Sequence, residues 1–200
     1  MNISKQLFLL ALGVIVLSGC AQKPVSTSET STIQHQIKLT TFNNWQIKAR
    51  VSIKTKDDAF TASLLWQQQP ANQIVELNGM LGQNYARIEV TPEHASLRIQ
   101  DNPIHQARQV EDLMMNHLGY IIPVTAMTNW LKGSTAGVAE EQWSINEAGY
   151  IAELRDRGWR ITYKRYASFP DLNDLQLPSR LTLTNGQETI KIAVQSWSQL

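Results

Sequence analysis

From Trp45 the chain alternates with period two. Trp45, Ile47, Ala49, Val51 and Ile53 fall on one face, and Gln46, Lys48, Arg50, Ser52 and Lys54 fall on the other. A strand that buries one side and wets the other has this pattern, so the segment belongs to an antiparallel sheet with one covered face. Lys56-Asp57-Asp58 supplies a polar turn, and Phe60, Ala62, Leu64 and Trp66 resume the alternation, which makes the pair a hairpin. The period returns over residues 74–78, 85–90 and 95–99, with turn residues at Pro70-Ala71-Asn72 and Thr91-Pro92-Glu93.

Two segments break that rhythm. Val110, Leu113, Met114 and Leu118 recur at helical spacing, and Gly119 is placed to end the helix. After Pro123, a second short amphipathic helix carries Met127, Trp130 and Leu131 on one side and stops at Gly133. Strands return from Gln142, over 151–154, 158–166, 180–183 and 189–197, and Asn185-Gly186 predicts a two-residue hairpin turn. The class expected is therefore mainly β (α+β). A long antiparallel sheet must curl to protect its edges and apolar face, and the two mid-chain helices are the available cover. A solid core and a lined cavity use the same alternation, so both remain open.

Upstream of the sheet, the run Leu7-Phe8-Leu9-Leu10-Ala11-Leu12-Gly13-Val14-Ile15-Val16 follows Lys5 and leads to Leu17-Ser18-Gly19-Cys20. The run is too short to span a bilayer stably, and small residues precede the chain's only cysteine, which is the pattern of a lipoprotein signal cut before Cys20. At roughly 0.8 kcal/mol per buried methylene, several acyl chains on Cys20 anchor a protein firmly. Ala21, where an Asp favours retention in the inner membrane, points to the outer membrane. Residues 1–19 are read as the signal and 20–44, rich in Ser, Thr and Gln, as a lipidated terminus and flexible tether reaching roughly 25–30 Å. A helix over 33–39 is the alternative for part of the tether, and 45–200 is the folded domain.

Net charge +1, from 18 basic and 17 acidic residues, argues against nucleic acid as a partner. With Cys20 committed to lipid, no disulfide is expected. There is no G-x-S-x-G, no Gly-rich phosphate loop and no H-E-x-x-H. His35, His94, His105 and His117 are scattered, so neither a catalytic set, a metal site nor a cofactor is expected. The unusual stretch is Asn78-Gly79-Met80-Leu81-Gly82-Gln83, where two glycines bracket large apolar residues at a position normally polar. Met80 and Leu81 either project as an exposed apolar tip or fold back onto a neighbouring strand. Trp45, Trp66 and Trp159 suit core filling at least as well as ligand contact. Met114, Met115 and Met127 in the helical cover suit an adaptable lid or plain gap filling.

Five stretches then occur in order behind the lipobox. They are Leu65-Trp66-Gln67-Gln68, Gly79-Met80-Leu81-Gly82, Gly119-Tyr120-Ile121-Ile122-Pro123-Val124 through Trp130-Leu131-Lys132-Gly133, Gly158-Trp159-Arg160-Ile161-Thr162-Tyr163, and Leu177-Pro178-Ser179-Arg180-Leu181. Together, from about Trp45 to Trp197, they resemble the LolB family of outer-membrane lipoprotein receptors. The resemblance implies an unclosed antiparallel β-barrel with a helical lid over an apolar cavity. It also implies a non-enzymatic, monomeric receptor on the periplasmic face of the outer membrane, which takes the acyl chains of client lipoproteins from the periplasmic carrier LolA and inserts them into the inner leaflet. The family's protruding leucine maps onto Leu81, so Met80, Leu81 and Gly82 become the membrane-insertion loop. The family commonly has a proline where this chain has Met80. Cavity and lid residues expected from the apolar faces are Ile47, Val51, Leu64, Trp66, Leu113, Met114, Leu118, Met127 and Trp130. The rival readings are a structural envelope lipoprotein with a solid core and, for want of a nucleophile constellation less favoured, a lipid hydrolase.

Overall fold

The computed structural model describes residues 27–79, 81–119, 121–172 and 174–200; the signal segment, Cys20 and Met80 lie outside them. Helix α1 (Thr27–Thr41) leads into strands β1 (Trp45–Lys54), β2 (Ala59–Gln69), β3 (Asn72–Asn78), β4 (Asn84–Val90), β5 (Ala95–Ile99) and β6 (His105–Ala107). Helices α2 (Val110–Leu118) and α3 (Val124–Lys132) follow, then β7 (Trp143–Ile145), β8 (Ile151–Asp156), β9 (Trp159–Ala167), β10 (Leu177–Thr184) and β11 (Thr189–Gln199). The described strands form one antiparallel sheet in the order β6-β5-β4-β3-β2-β1-β11-β10-β9-β8-β7. The first and last strands of the chain meet in the middle, and β6 and β7 are left as edges, so the barrel is unclosed.

The β1–β11 pairing shows how the inner face is kept apolar. Val51 faces Ile192 and Ile53 faces Ile190, but beyond the shift at Lys48/Ala49 it is Trp197 that faces Ile47. Gln195 is the extra residue of a bulge, and one inserted residue flips the alternation. Ile192 and Trp197, five apart and on opposite faces of a regular strand, both point inward, 2% and 1% exposed.

Strand direction gives the sheet two distinct ends. Loops 55–58, 79–83, 100–104 and 185–188 lie at one, and loops 70–71, 91–94, 146–150 and 168–176 at the other. Helix α2 packs against β5 and β6. Its His117 ring stacks on His105 at the start of β6, centroids 3.8 Å apart, so α2 runs toward the first end. Helix α3 returns, and its Lys132 reaches the carbonyls of Leu39 and Phe42 just before β1. The α2–α3 link is therefore also at the first end.

Two expectations are corrected. Thr27–Thr41, read as tether, is helix α1, longer than the alternative over 33–39. Its docked face, Thr32, His35, Gln36 and Leu39, has helical spacing but is held by hydrogen bonds. Thr32 Oγ1 donates to Gly149 O (2.5 Å), His35 Nε2 to Gln176 O (2.7 Å) and Gln36 Nε2 to Gly133 O (2.9 Å), while Thr135 N donates to Gln36 Oε1 (2.9 Å). The Lys132 ammonium caps the helix's last carbonyls, favourable at the negative end of the helix dipole. The Asn185-Gly186 turn is wider than predicted. Thr184 pairs with Thr189, leaving a four-residue loop, because Asn185 Oδ1 accepts from the Gln187 and Glu188 amides.

Candidate functional site: an apolar hollow at one end of the sheet

The half of the interior beneath α1 is solid. Trp45 meets Trp197 edge-on at 5.0 Å between ring centroids, Phe42 lies 6.0 Å from Trp197, and Leu39 and Ile47 complete the packing. Trp197 Nε1 donates to Pro178 O at 3.1 Å. On the β8–β9 side the packing continues to the first end, where Trp130 packs beside Trp159 and donates its indole N–H to Asp156 Oδ2 (3.0 Å), and Tyr163 Oη donates to Trp130 O (2.8 Å). Burial raises the Tyr163 hydroxyl well above its ordinary pKa, so it stays a neutral donor.

The other half is hollow. A cavity of about 510 Å³ lies between the sheet and helices α2 and α3, walled by Val51 and Ile53 of β1, Phe60, Leu64 and Trp66 of β2, Val75 and Leu77 of β3, and Tyr85, Ala86 and Ile88 of β4. Leu97 and Ile99, Ile190 and Ile192, and Met114, Ile122, Val124 and Met127 complete it. Trp66 is the floor, since its ring lies 6.3 Å, centroid to centroid, from that of Trp45 on the neighbouring strand β1. The polar lining groups, Asp58, Thr61 and Gln100, come from the loops and strand ends at the first end of the sheet, which is therefore the mouth.

Of the residues expected on the cavity, Val51, Leu64, Trp66, Met114 and Met127 are brought together on its wall. Ile47, Leu113 and Trp130 are instead fully buried in side-chain packing away from it. The side chain of Leu118 lies outside the described residues. Trp45 and Trp159 fill core, and Met115 points outward, 46% exposed. Sequence reasoning passed over β3 to β5 as wall elements, although the inward positions Val75, Leu77, Ile88, Leu97 and Ile99 carry the same alternation. Their signal was present, but alternation alone does not separate a wall from a core.

At the mouth, the β3–β4 hairpin resolves the question about its tip. Leu81 is 93% exposed. A Cβ at Gly79 would lie 2.6 Å from Gln83 Nε2 and 2.8 Å from the Tyr85 ring, so any larger residue there displaces those side chains. Gly82 sits at φ +83°, and its N–H donates to Gly79 O (3.1 Å), closing the turn. The turn that Gly82 permits leaves Leu81 exposed at the tip. Gln83 Nε2 donates to Tyr85 Oη (3.1 Å), tying the tip to a wall residue of the hollow.

Among the described residues no three or more His, Cys, Asp or Glu groups cluster as metal ligands, although the fold does bring His105 and His117 together. What the arrangement does offer is an apolar volume of about 510 Å³ open at one end.

An unclosed antiparallel barrel with a helical cover and an apolar hollow defines a class of proteins that can shelter an apolar ligand from water. A solved DUF1329 family protein from Desulfovibrio piger shares the fold, with a TM-score of 0.51 and 6% identity over 87% of this chain and 94% of that one. The family described as outer membrane lipoprotein LolB matches residues 43–197, and the chain belongs to it. The outer-membrane lipoprotein LolB of Alkalilimnicola ehrlichii is 30% identical over 196 residues, 96% of each chain. That of Pseudomonas aeruginosa is 29% identical over 202 residues, covering 96% of this chain and 95% of its own. Membership places the protein among the outer-membrane lipoproteins of the Lol pathway, as the five ordered stretches had implied.

Proposed function

We propose that this protein is an anchored receptor that takes the acyl chains of client lipoproteins from a LolA-type periplasmic carrier and releases them into the inner leaflet of the outer membrane. The observation that carries the reading is the pairing of an apolar hollow with an exposed leucine at the same end of the sheet. Acyl chains cannot cross the aqueous periplasm uncovered, so they pass from one closed apolar volume to another. No bond is made or broken. Direction follows if this hollow binds the chains better than the carrier does, and Cys20, acylated after removal of residues 1–19, keeps the acceptor beside its bilayer on the periplasmic face.

A bulky triacylated terminus enters more readily if the cover over the hollow yields. The adaptable Met114 and Met127 are placed on that cover. Leu81 then perturbs the bilayer or guides insertion. The test mixes soluble Cys20→Ala protein with a carrier already loaded with a triacylated lipoprotein and follows the lipoprotein by co-purification. Transfer to this protein is expected, and retention on an active carrier contradicts the reading. Leu81→Glu should leave stability within about 0.5 kcal/mol of the parent. It should also keep uptake while blocking delivery to vesicles, and lost uptake with normal delivery would contradict the role of the tip.

A further inference from the structure

Leu81 is not the only apolar side chain standing clear of the mouth. Ile104, in the β5–β6 loop, is 59% exposed, and Ile121, in the α2–α3 link, is 45% exposed. The three come from loops remote in sequence, and the strand directions together with the His105–His117 stack bring them to one end. Isolated exposed aliphatics need no explanation, but three gathered around the opening of an apolar cavity do.

Each also sits next to the wall. Ile121 precedes Ile122, the loop of Ile104 begins at Ile99 and Gln100, and the tip of Leu81 is bonded to Tyr85. An acyl chain leaving the hollow on this side therefore meets apolar side chains, whereas on the side of Lys56, Asp57 and Asp58 it meets charge. Between the β3–β4 and β5–β6 loops lies a polar cleft of about 770 Å³ lined by Gln83, Asn84, Arg98, Gln100, Asp101 and Asn102. Aliphatic apices flanking a polar cleft with a guanidinium match an amphiphile, with acyl chains at the tips and a phosphate headgroup between them. A stable protein partner needs a contiguous face of about 800 Å² on each side, which three separate tips do not supply.

We infer that Leu81, Ile104 and Ile121 form a three-point contact by which the mouth seats on a phospholipid bilayer, so that chains pass from the hollow into hydrocarbon along the β3–β6 side. This rests on the receptor reading above and adds to it the orientation of the domain and two contact residues.

The test uses the full acylated protein in phosphatidylethanolamine–phosphatidylglycerol vesicles. Because the Cys20 sulfur is held in a thioether, one added cysteine takes the environment-sensitive fluorophore NBD. Leu81→Cys, Ile104→Cys and Ile121→Cys report on the mouth; Ala71→Cys and Glu93→Cys report on the opposite end. The expected result is a blue shift at 81, 104 and 121, with quenching by shallow lipid-borne spin labels, and no change at 71 or 93. A response at 81 alone overturns the inference, as does an equal response at all five sites. A response at 104 and 121 to loaded carrier but not to vesicles overturns it in favour of a carrier contact. Transfer measured on the same samples separates the two ideas: normal transfer with 104 and 121 silent leaves the receptor standing without this surface, and inserted probes without transfer do the reverse.

Discussion

The two ends of this sheet are built from the same alternation and have opposite interiors. Beneath α1, Trp45, Trp197, Phe42 and Ile47 pack in one buried cluster, while at the mouth Val51, Phe60, Leu77, Ala86 and Ile99 stand around an apolar cavity. The difference lies in how the side chains meet and in what closes the end. The solid end has Trp45, Trp197 and Phe42 in mutual ring contact and a helix fastened over it. The hollow end has mostly aliphatic walls with Phe60 and Tyr85 among them, an Ala on β4 and short loops. One end stores the packing energy that lets the other remain empty, since unfilled apolar space is a cost that something else in the fold must offset.

The largest effect should come from emptying the solid end. Trp45→Ala should cost about 3–5 kcal/mol in urea unfolding, and a loss below 1 kcal/mol would show that this end is not tightly packed. Lys132→Met should come next, at about 1–3 kcal/mol, because the Leu39 and Phe42 carbonyls lose their donor. Burial holds the Lys132 ammonium at about 8, below its ordinary 10.5. The unfolded chain therefore keeps that proton to higher pH, and stability should climb between about pH 8 and 10.5 in the parent but not in Lys132→Met. Equal pH dependence in both would remove Lys132 as the cause.

A matched pair sharpens the contrast between the ends. Ala49, 2% exposed on β1 and absent from the cavity wall, and Ala86 on the wall should respond differently to the same enlargement. Ala49→Leu should cost about 1–3 kcal/mol by overpacking, whereas Ala86→Leu, growing into space, should stay near zero in stability and weaken uptake of an apolar fluorophore. Equal costs would mean that the hollow is not available volume.

The smallest effect concerns α1. His35 is held neutral because burial lowers its pKa, outweighing the hydrogen bond to Gln176 O. Its other ring nitrogen, Nδ1, is buried without a hydrogen-bond partner. As pH falls below about 6.5 the unfolded chain takes the proton first, so stability is present above that pH and drains below it. His35→Gln should flatten the dependence between pH 7 and 5, read by thermal unfolding. An unchanged slope would place the acid sensitivity elsewhere.

Much of this was legible from residues. The strands from Trp45 to Ile99, both covering helices with their glycine stops, and the apolar tip at Leu81 follow from period and punctuation. Helix α1 did not, because its docked face is Thr32, His35 and Gln36 as well as Leu39, and hydrogen bonds to distant carbonyls leave no hydrophobic period to read. The Gln195 bulge was invisible for a related reason, since it takes effect only through the partner strand. Ile47, Leu113 and Trp130 carry the pattern of wall residues yet fill core. Alternation reports which side faces inward, and how the facing side chains meet, which depends on pairings across the sheet, decides whether that inside is full.

The central claim is that acyl chains enter the hollow end and not the solid one. A photoreactive phenylalanine analogue at Phe60 or Tyr85, and separately at Phe42, can be illuminated after loading with a lipoprotein carrying radiolabelled acyl chains. The account predicts cross-links to the chains from 60 and 85 and none from 42. Equal labelling at the three positions, or none at 60 and 85 in a protein that has taken up lipoprotein, would contradict it.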